Sequence, residues 1–283
     1  MAICAMMCGF DTWSEITLFA QEREPWFRRW LRLPGGIPSH DTFNRIFATL
    51  PPASLKSIFQ AWIGDIMGDD KLVGQLAVDG KALRATAKGR GANAVHMVNV
   101  WSTELGMCVG QQKVADKSNE ITAIPELLQL LELKGCLVSI DAMGTQVKIA
   151  DTILKKSGDY LLAVKDNQPS LNTEVKEQFQ AYWDKNETDV SGHGFTEQFD
   201  SEHGRKEHRR CWVLVVDESM PVCQQWEAKT IIAVQAERIE NGKGYDFVRF
   251  YISSRALDAT SALKATRAHW SVESVPQAHK FAA

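Results

Sequence analysis

Two spacings of apolar positions divide the sequence. Up to about residue 70, apolar side chains recur every three or four positions, as in helices with one buried face. Beyond residue 73 they alternate or cluster in short runs, as in strands. In the first part, Trp13 to Ala20 and Pro25 to Leu33 carry amphipathic patterns, with Trp26, Phe27 and Trp30 at helical spacing. The segment PGGIPSHDTF (34–43) predicts a loop in which Ser39 or Asp41 caps a helix holding Phe43, Ile46, Phe47 and Leu50. Pro51-Pro52 ends that helix, and Ser54 opens another with Leu55, Ile58, Phe59, Trp62, Ile63 and Ile66. We read residues 1–70 as a small helical module whose aromatic stripes are core.

In the second part, Leu76, Ala77 and Val78 predict a short buried strand. Residues 94–103 and 107–116 predict two more, with Gly106 between them as a hairpin turn. A helix follows over 118–135, with Ser118 or Asn119 as cap, Pro125 in its first turn and Gly135 as its stop. Leu137, Val138 and Ile140 form a strand, 145–157 a helix and 160–165 a strand. Three strands in hairpin order, then helix, strand, helix, strand, is the order of an RNase H-like α/β fold. It has a mixed five-stranded sheet with flanking helices. Residues 170–254 break the pattern, with a helix at 170–185 and strand-like runs at 211–216, 229–236 and 246–253. They read as a β-rich insertion, and 258–273 returns to helix. The second domain therefore spans 71–283.

The chemistry starts at VGQLAVDGKALR (73–84), where an apolar run climbs to Asp79 and stops on Gly80. A carboxylate there is costly to bury unless something pairs with it. Asp-Gly is also an ordinary turn signal, compatible with a solvated aspartate. GCLVSIDAMG (135–144) repeats the pattern, with Asp141 following its strand 62 residues after Asp79. Two carboxylates at the ends of neighbouring strands repel unless a cation lies between them, and oxygen ligands suit Mg²⁺. The repeat leaves both the cation pair and the pair of solvated turns open.

Length and composition change this picture little. The chain has 283 residues, 45% apolar, with a formal net charge of −3, so any nucleic-acid binding must come from local patches. Its six cysteines stand singly, without a CxxC pair, and read as small buried hydrophobes in a reducing compartment. No apolar run is long enough for a membrane span, and the N-terminus lacks the basic leading region of a signal peptide.

The segments VDGK, KSNEITAIPELL, DAMGTQ, DYLLAVKDNQ, HGRKEHRR, RFYISS and AHWSVE, in this order, resemble bacterial insertion-sequence transposases of the H-repeat-associated type. These belong to the DDE superfamily, and the resemblance runs from about residue 9 to Glu273. It implies that Asp79 and Asp141 are the first two catalytic acids and that Glu273, 132 residues after Asp141, is the third. These acids would hold two Mg²⁺ or Mn²⁺ ions, which can clamp the attacking and leaving oxygens of a phosphodiester. The implied reaction cuts the transposon end and joins its 3′-hydroxyl to target DNA. The implied partners are double-stranded DNA and further copies of the chain assembled on it. The implied setting is the bacterial cytoplasm, at the nucleoid and not at a membrane. An aspartyl-phosphate hydrolase built on Asp79 fits poorly, because its second acid would fall at Lys81.

DNA contacts are expected from Lys81 and Arg84 beside the first acid, and from Lys88 and Arg90 in a glycine-flanked loop. Lys165 after the fifth strand, and Arg205, Lys206, Arg209 and Arg210 in the insertion, complete the basic set. His269 and Trp270, one helical turn before Glu273, are placed to orient the acid or the DNA, or in the case of Trp270 to pack. After Glu273 the text SVPQAHKFAA departs from the family, and Pro276 should end the helix there. The start is also expected to be clipped. Both ends suggest an interrupted copy with reduced activity, or a silent remnant that still binds DNA or intact copies.

Overall fold

The computed structural model of the chain describes residues 1–51, 54–55, 57–58, 61–62, 65, 74–83, 95–114, 120–185, 194–202, 205–240 and 243–270. The chain divides into two compact units, Met1–Gly68 and Asp69–Ser274.

The first unit is helical: α1 (Ala2–Met7), α2 (Trp13–Glu22), α3 (Glu24–Phe27) and α4 (His40–Thr49). Thr12 caps α2 in a reciprocal box, its Oγ1 accepting from the Glu15 amide while Glu15 Oε2 accepts from the Thr12 amide. Of the two proposed caps for α4, Ser39 serves, accepting from the Thr42 amide at 3.3 Å. Ala2, Ala5, Ile16 and Phe43 form the core, and Trp13 packs on Phe43 and Phe47. The aromatic stripe at 26–30 is not all core: Phe27 is buried, while Trp30 is 73% exposed. The helix stops at Phe27, so Trp30 lies beyond it and the helical spacing read from the sequence does not carry through. The helix expected from Ser54 falls largely outside the described residues.

The second unit is built on one sheet of nine strands rather than five: β1 (Gln75–Leu83), β2 (Val95–Ser102), β3 (Met107–Lys113), β4 (Leu137–Ile140), β5 (Asp159–Val164), β6 (Phe195–Glu202), β7 (Arg205–Val215), β8 (Thr230–Glu240) and β9 (Lys243–Ser253). Their spatial order is β3-β2-β1-β4-β5-β9-β8-β7-β6. The pairs β1–β4 and β4–β5 are parallel; the others are antiparallel. The segment expected as an insertion therefore adds β9 directly to the outer edge of β5, with Leu162 opposite Ile252. Its first strand, β6, escapes sequence reasoning because FTEQFDSE lies at the sheet's edge and carries no buried apolar run.

Five α-helices are described in this unit: α5 (Glu120–Gln129), α6 (Val147–Lys155), α7 (Pro169–Lys185), α8 (Pro221–Gln225) and α9 (Ala259–His269). The first of them stops at Gln129, with Pro125 inside it, and Gly135 (φ +81°) turns the chain into β4 instead of ending the helix. Asp258 caps α9 through the Ser261 amide at 2.8 Å. That helix lays Ala259, Ala262, Leu263 and Ala265 on Leu137, Leu161, Cys211, Val213, Ile232 and Tyr251. No helix of the described residues is long and apolar enough to cross a membrane.

Candidate active site

The parallel register of β1 and β4 sets the site. Val78 lies opposite Ile140, the last pair of that ladder, so Asp79 and Asp141 are the next residue on each strand. Neighbouring strands run roughly 4.8 Å apart, which brings the two carboxylates to one edge of the ladder. Asp79 does not end its strand as expected. β1 continues to Leu83 on its other side, where Asp79 pairs with Asn99 of β2. Only the β4 side is open at this point, because β4 stops at Ile140.

Asp141 is exposed and held by a tight turn. Its Oδ1 accepts from the Gly144 amide at 3.2 Å, capping a 3₁₀ turn over Ala142–Gly144. A Cβ at Gly144 would collide with Ile140 Cγ2, so the turn needs glycine. Three side chains fix the turn to the end of β5. Thr145 Oγ1 donates to the Ala163 carbonyl, Asn167 Nδ2 to the Ala142 carbonyl at 2.7 Å, and Gln168 Nε2 to the Thr145 carbonyl at 2.9 Å. The polar cluster after the fifth strand thus serves Asp141 through its turn.

Gly80 has a similar explanation. A Cβ there would fall onto the Glu120 carboxylate, which extends from the first turn of α5. Burial and then the charge of Asp141 push the Glu120 carboxyl above its ordinary range, while His96, 3.9 Å away, pulls the other way. Glu120 is the acid that sequence reasoning missed; an acid in the first turn of a helix looks like an ordinary dipole partner.

Behind the acids runs a buried polar relay. Gln75 Nε2 donates to Ser139 Oγ and to the Ala265 carbonyl, both at 2.8 Å. His269 Nδ1 lies 3.1 Å from the same Ser139 Oγ. This fastens α9 to the strands that carry Asp79 and Asp141. His269 is 8% exposed, and burial holds its imidazole below the usual range against the opposing pull of Asp141. Its burial against β4 corrects the expectation of a direct DNA contact.

The remaining expected residues are scattered. Glu273, Arg84, Lys88 and Arg90 lie outside the described residues. Lys81 is half-buried on β1, and Lys165 and Lys206 are exposed. Arg205 begins β7. The run 205–210 is a strand, so its side chains alternate between faces. Arg209 pairs with Glu207 and Asp200, and Arg210 with Glu237 at 2.7 Å, on opposite sides of the sheet. The run does not form one basic patch. Among the described residues, no three His, Cys, Asp or Glu side chains gather closely enough to hold a metal ion.

The family model "DDE_Tnp_1-associated" matches residues 1–63, and "Transposase DDE domain" matches residues 74–280. The chain belongs to the DDE transposase family. This transposase is 38% identical over 281 residues to the "H repeat-associated putative transposase YhhI" of Escherichia coli (strain K12), covering 96% of this chain and 73% of that protein. It is 38% identical over 281 residues to "Putative transposase YncI" of Escherichia coli O157:H7, covering 96% and 70%. A protein of Xanthobacter autotrophicus, "Uncharacterized protein in dhlA 3'region", is 36% identical over 259 residues, covering 91% and 86%. The resemblance read from the sequence is therefore borne out: the chain is an insertion-sequence transposase. Among solved structures, Streptomyces venezuelae DesVI aligns over 47% of this chain and 49% of that chain at 12% identity and a TM-score of 0.21, too low to support any argument.

Proposed function

We propose that this transposase cuts DNA at transposon ends and joins the freed 3′-hydroxyl to target DNA, using Asp79, Asp141 and Glu273 to hold two divalent ions. The observation that supports this reading best is the Val78–Ile140 register, which places Asp79 and Asp141 side by side just past the end of the β1–β4 ladder. Hard oxygen donors match Mg²⁺ or Mn²⁺, and the charge of Asp141 already bears on the Glu120 carboxyl, so a cation beside Asp141 would relieve like charge there. When bound, the ions supply charge stabilisation for phosphoryl transfer. The chain's own part is to hold the two carboxylates side by side past the end of the β1–β4 ladder and to fix the Asp141 turn.

In this reading β3-β2-β1-β4-β5 is an RNase H-like core, residues 71–283 are the catalytic domain, and about 170–254 is a sheet-extending insertion. Residues 1–70 are an accessory helical module. DNA would run past Lys81, Arg84, Lys88, Arg90, Lys165, Arg205 and Lys206, with copies of the chain assembled on it at the bacterial nucleoid. The basic side chains set register by binding phosphates.

The test is strand cleavage and strand transfer with Mn²⁺ on DNA carrying the element's own ends. Metal-dependent nicking that disappears in Asp141→Ala supports the reading. DNA binding without nicking makes the chain a silent relative that only binds.

A further inference from the structure

Asn99 holds a buried hydrogen-bond donor that the fold does not use. The residue is 6% exposed, and among the described residues its Nδ2 has no hydrogen-bond partner. Such a buried orphan costs about 1–3 kcal/mol, so its retention needs an explanation. Its position supplies one. On β2, Asn99 lies directly between Gln111 of β3 and Asp79 of β1, each its cross-strand partner. Directly paired residues share a face, with Cβ atoms roughly 5 Å apart. Gln111 Nε2 donates to Asn99 Oδ1 at 2.8 Å. The two atoms of a planar amide diverge, so an Oδ1 committed to the β3 side turns Nδ2 toward β1 and Asp79.

We propose that Asn99 is a positioning residue for Asp79: its free amide hydrogen is kept for the outer oxygen of that carboxylate when the inner oxygen engages a divalent cation. The inference rests on the reading of Asp79 as a cation-binding acid. Metal-ligating carboxylates are themselves commonly held by a hydrogen bond from the surrounding shell. Gln111 orients the amide, completing a lateral row of Gln111, Asn99 and Asp79 that ends beside Asp141. A fixed carboxylate matters most for Mg²⁺, which demands near-ideal octahedral geometry and tolerates misplacement poorly.

The test uses the full chain without DNA. Mg²⁺ and Mn²⁺ affinities are measured by calorimetric titration for the wild type, Asp79→Asn, Asn99→Leu and the double variant Asn99→Leu/Gln111→Leu. Melting temperatures without metal are recorded for all four. We expect the double variant to melt no lower than the wild type, because an orphaned donor and its orienting partner are replaced together by apolar groups of similar size. We expect both Asn99 variants to lose at least fivefold in Mg²⁺ affinity and clearly less in Mn²⁺ affinity. A merely structural amide would lower stability and leave the Mg²⁺-to-Mn²⁺ ratio unchanged; that outcome overturns the proposal. Metal binding that depends on Asp79 but ignores Asn99 overturns the Asn99 role and leaves the acid reading standing. Binding that ignores Asp79 as well overturns both.

Discussion

Ser139 on β4 and His269 at the end of α9 meet through a buried contact of 3.1 Å, 130 residues apart in sequence. Gln75 completes the junction from β1, donating to Ser139 and to the carbonyl of Ala265. The helix that leads toward Glu273 is therefore anchored by polar bonds before residue 271. From the sequence, this helix is expected to end near Pro276, in text that departs from the family. The described residues supply a clamp upstream of it.

Ser139→Ala should remove the shared partner of Gln75 and His269 at once. Each group is buried, and an unsatisfied buried polar group costs about 1–3 kcal/mol. We expect the urea midpoint to fall by an amount equivalent to about 2 kcal/mol with the slope unchanged. A loss under about 0.5 kcal/mol would mean the relay carries little of the junction.

Gly80→Ala should drive the Glu120 carboxylate, the far end of a flexible side chain, out of its place, because the new Cβ lands on it. Shortening the partner should relieve it, so Gly80→Ala and Glu120→Ala should be non-additive, coupled by roughly 0.5–3 kcal/mol in a double-mutant cycle. Additive effects would show that the strand finds room in another way.

Glu120 should also leave a signature in the pH dependence of the metal-free protein. Its carboxyl is raised in the folded state, chiefly by burial and then by Asp141. Just above the ordinary carboxylate range the native state therefore holds more protons than the unfolded chain. Stability then falls as pH rises through that window. Glu120→Gln should remove this part of the slope, gaining on the wild type as pH increases. Parallel stability-versus-pH curves for the two proteins across that window would contradict it.

Arg209→Gln should act on the fold rather than on DNA. It removes one ion-pair partner of Glu207, which is 8% exposed, and one of Asp200. We expect about 2 kcal/mol of lost stability and an unchanged salt dependence of DNA binding. Replacing the exposed Lys165 and Lys206 by Gln should do the reverse. The slope of log K against log salt should become shallower by roughly 0.9 for each phosphate no longer neutralised.

The parts of the fold that are legible in the sequence are those whose residues see the same environment along a whole run. LAV before Asp79 and LVSI before Asp141 are buried on both faces, and both form paired strands. The end of α5 is misplaced by sequence alone because Leu131 and Leu133, buried in the following turn, continue its apolar spacing without being helical. HGRKEHRR looks like one patch because composition shows charge but not the alternation that sends neighbours to opposite faces. Asn99 and Glu120 are invisible for a deeper reason. Their place beside the acids arises from strand register and helix approach, which no local stretch encodes.

The continuity of the sheet has a practical consequence. Because β9 covers the outer edge of β5, residues 195–253 cannot be trimmed away without exposing that edge. Excision would bare the backbone groups of β5 and the apolar faces of Leu161 and Leu162, a template for intermolecular pairing. A segment that looks in the sequence like an optional accessory is the selvedge that keeps β1, β4 and β5 from unravelling into aggregates.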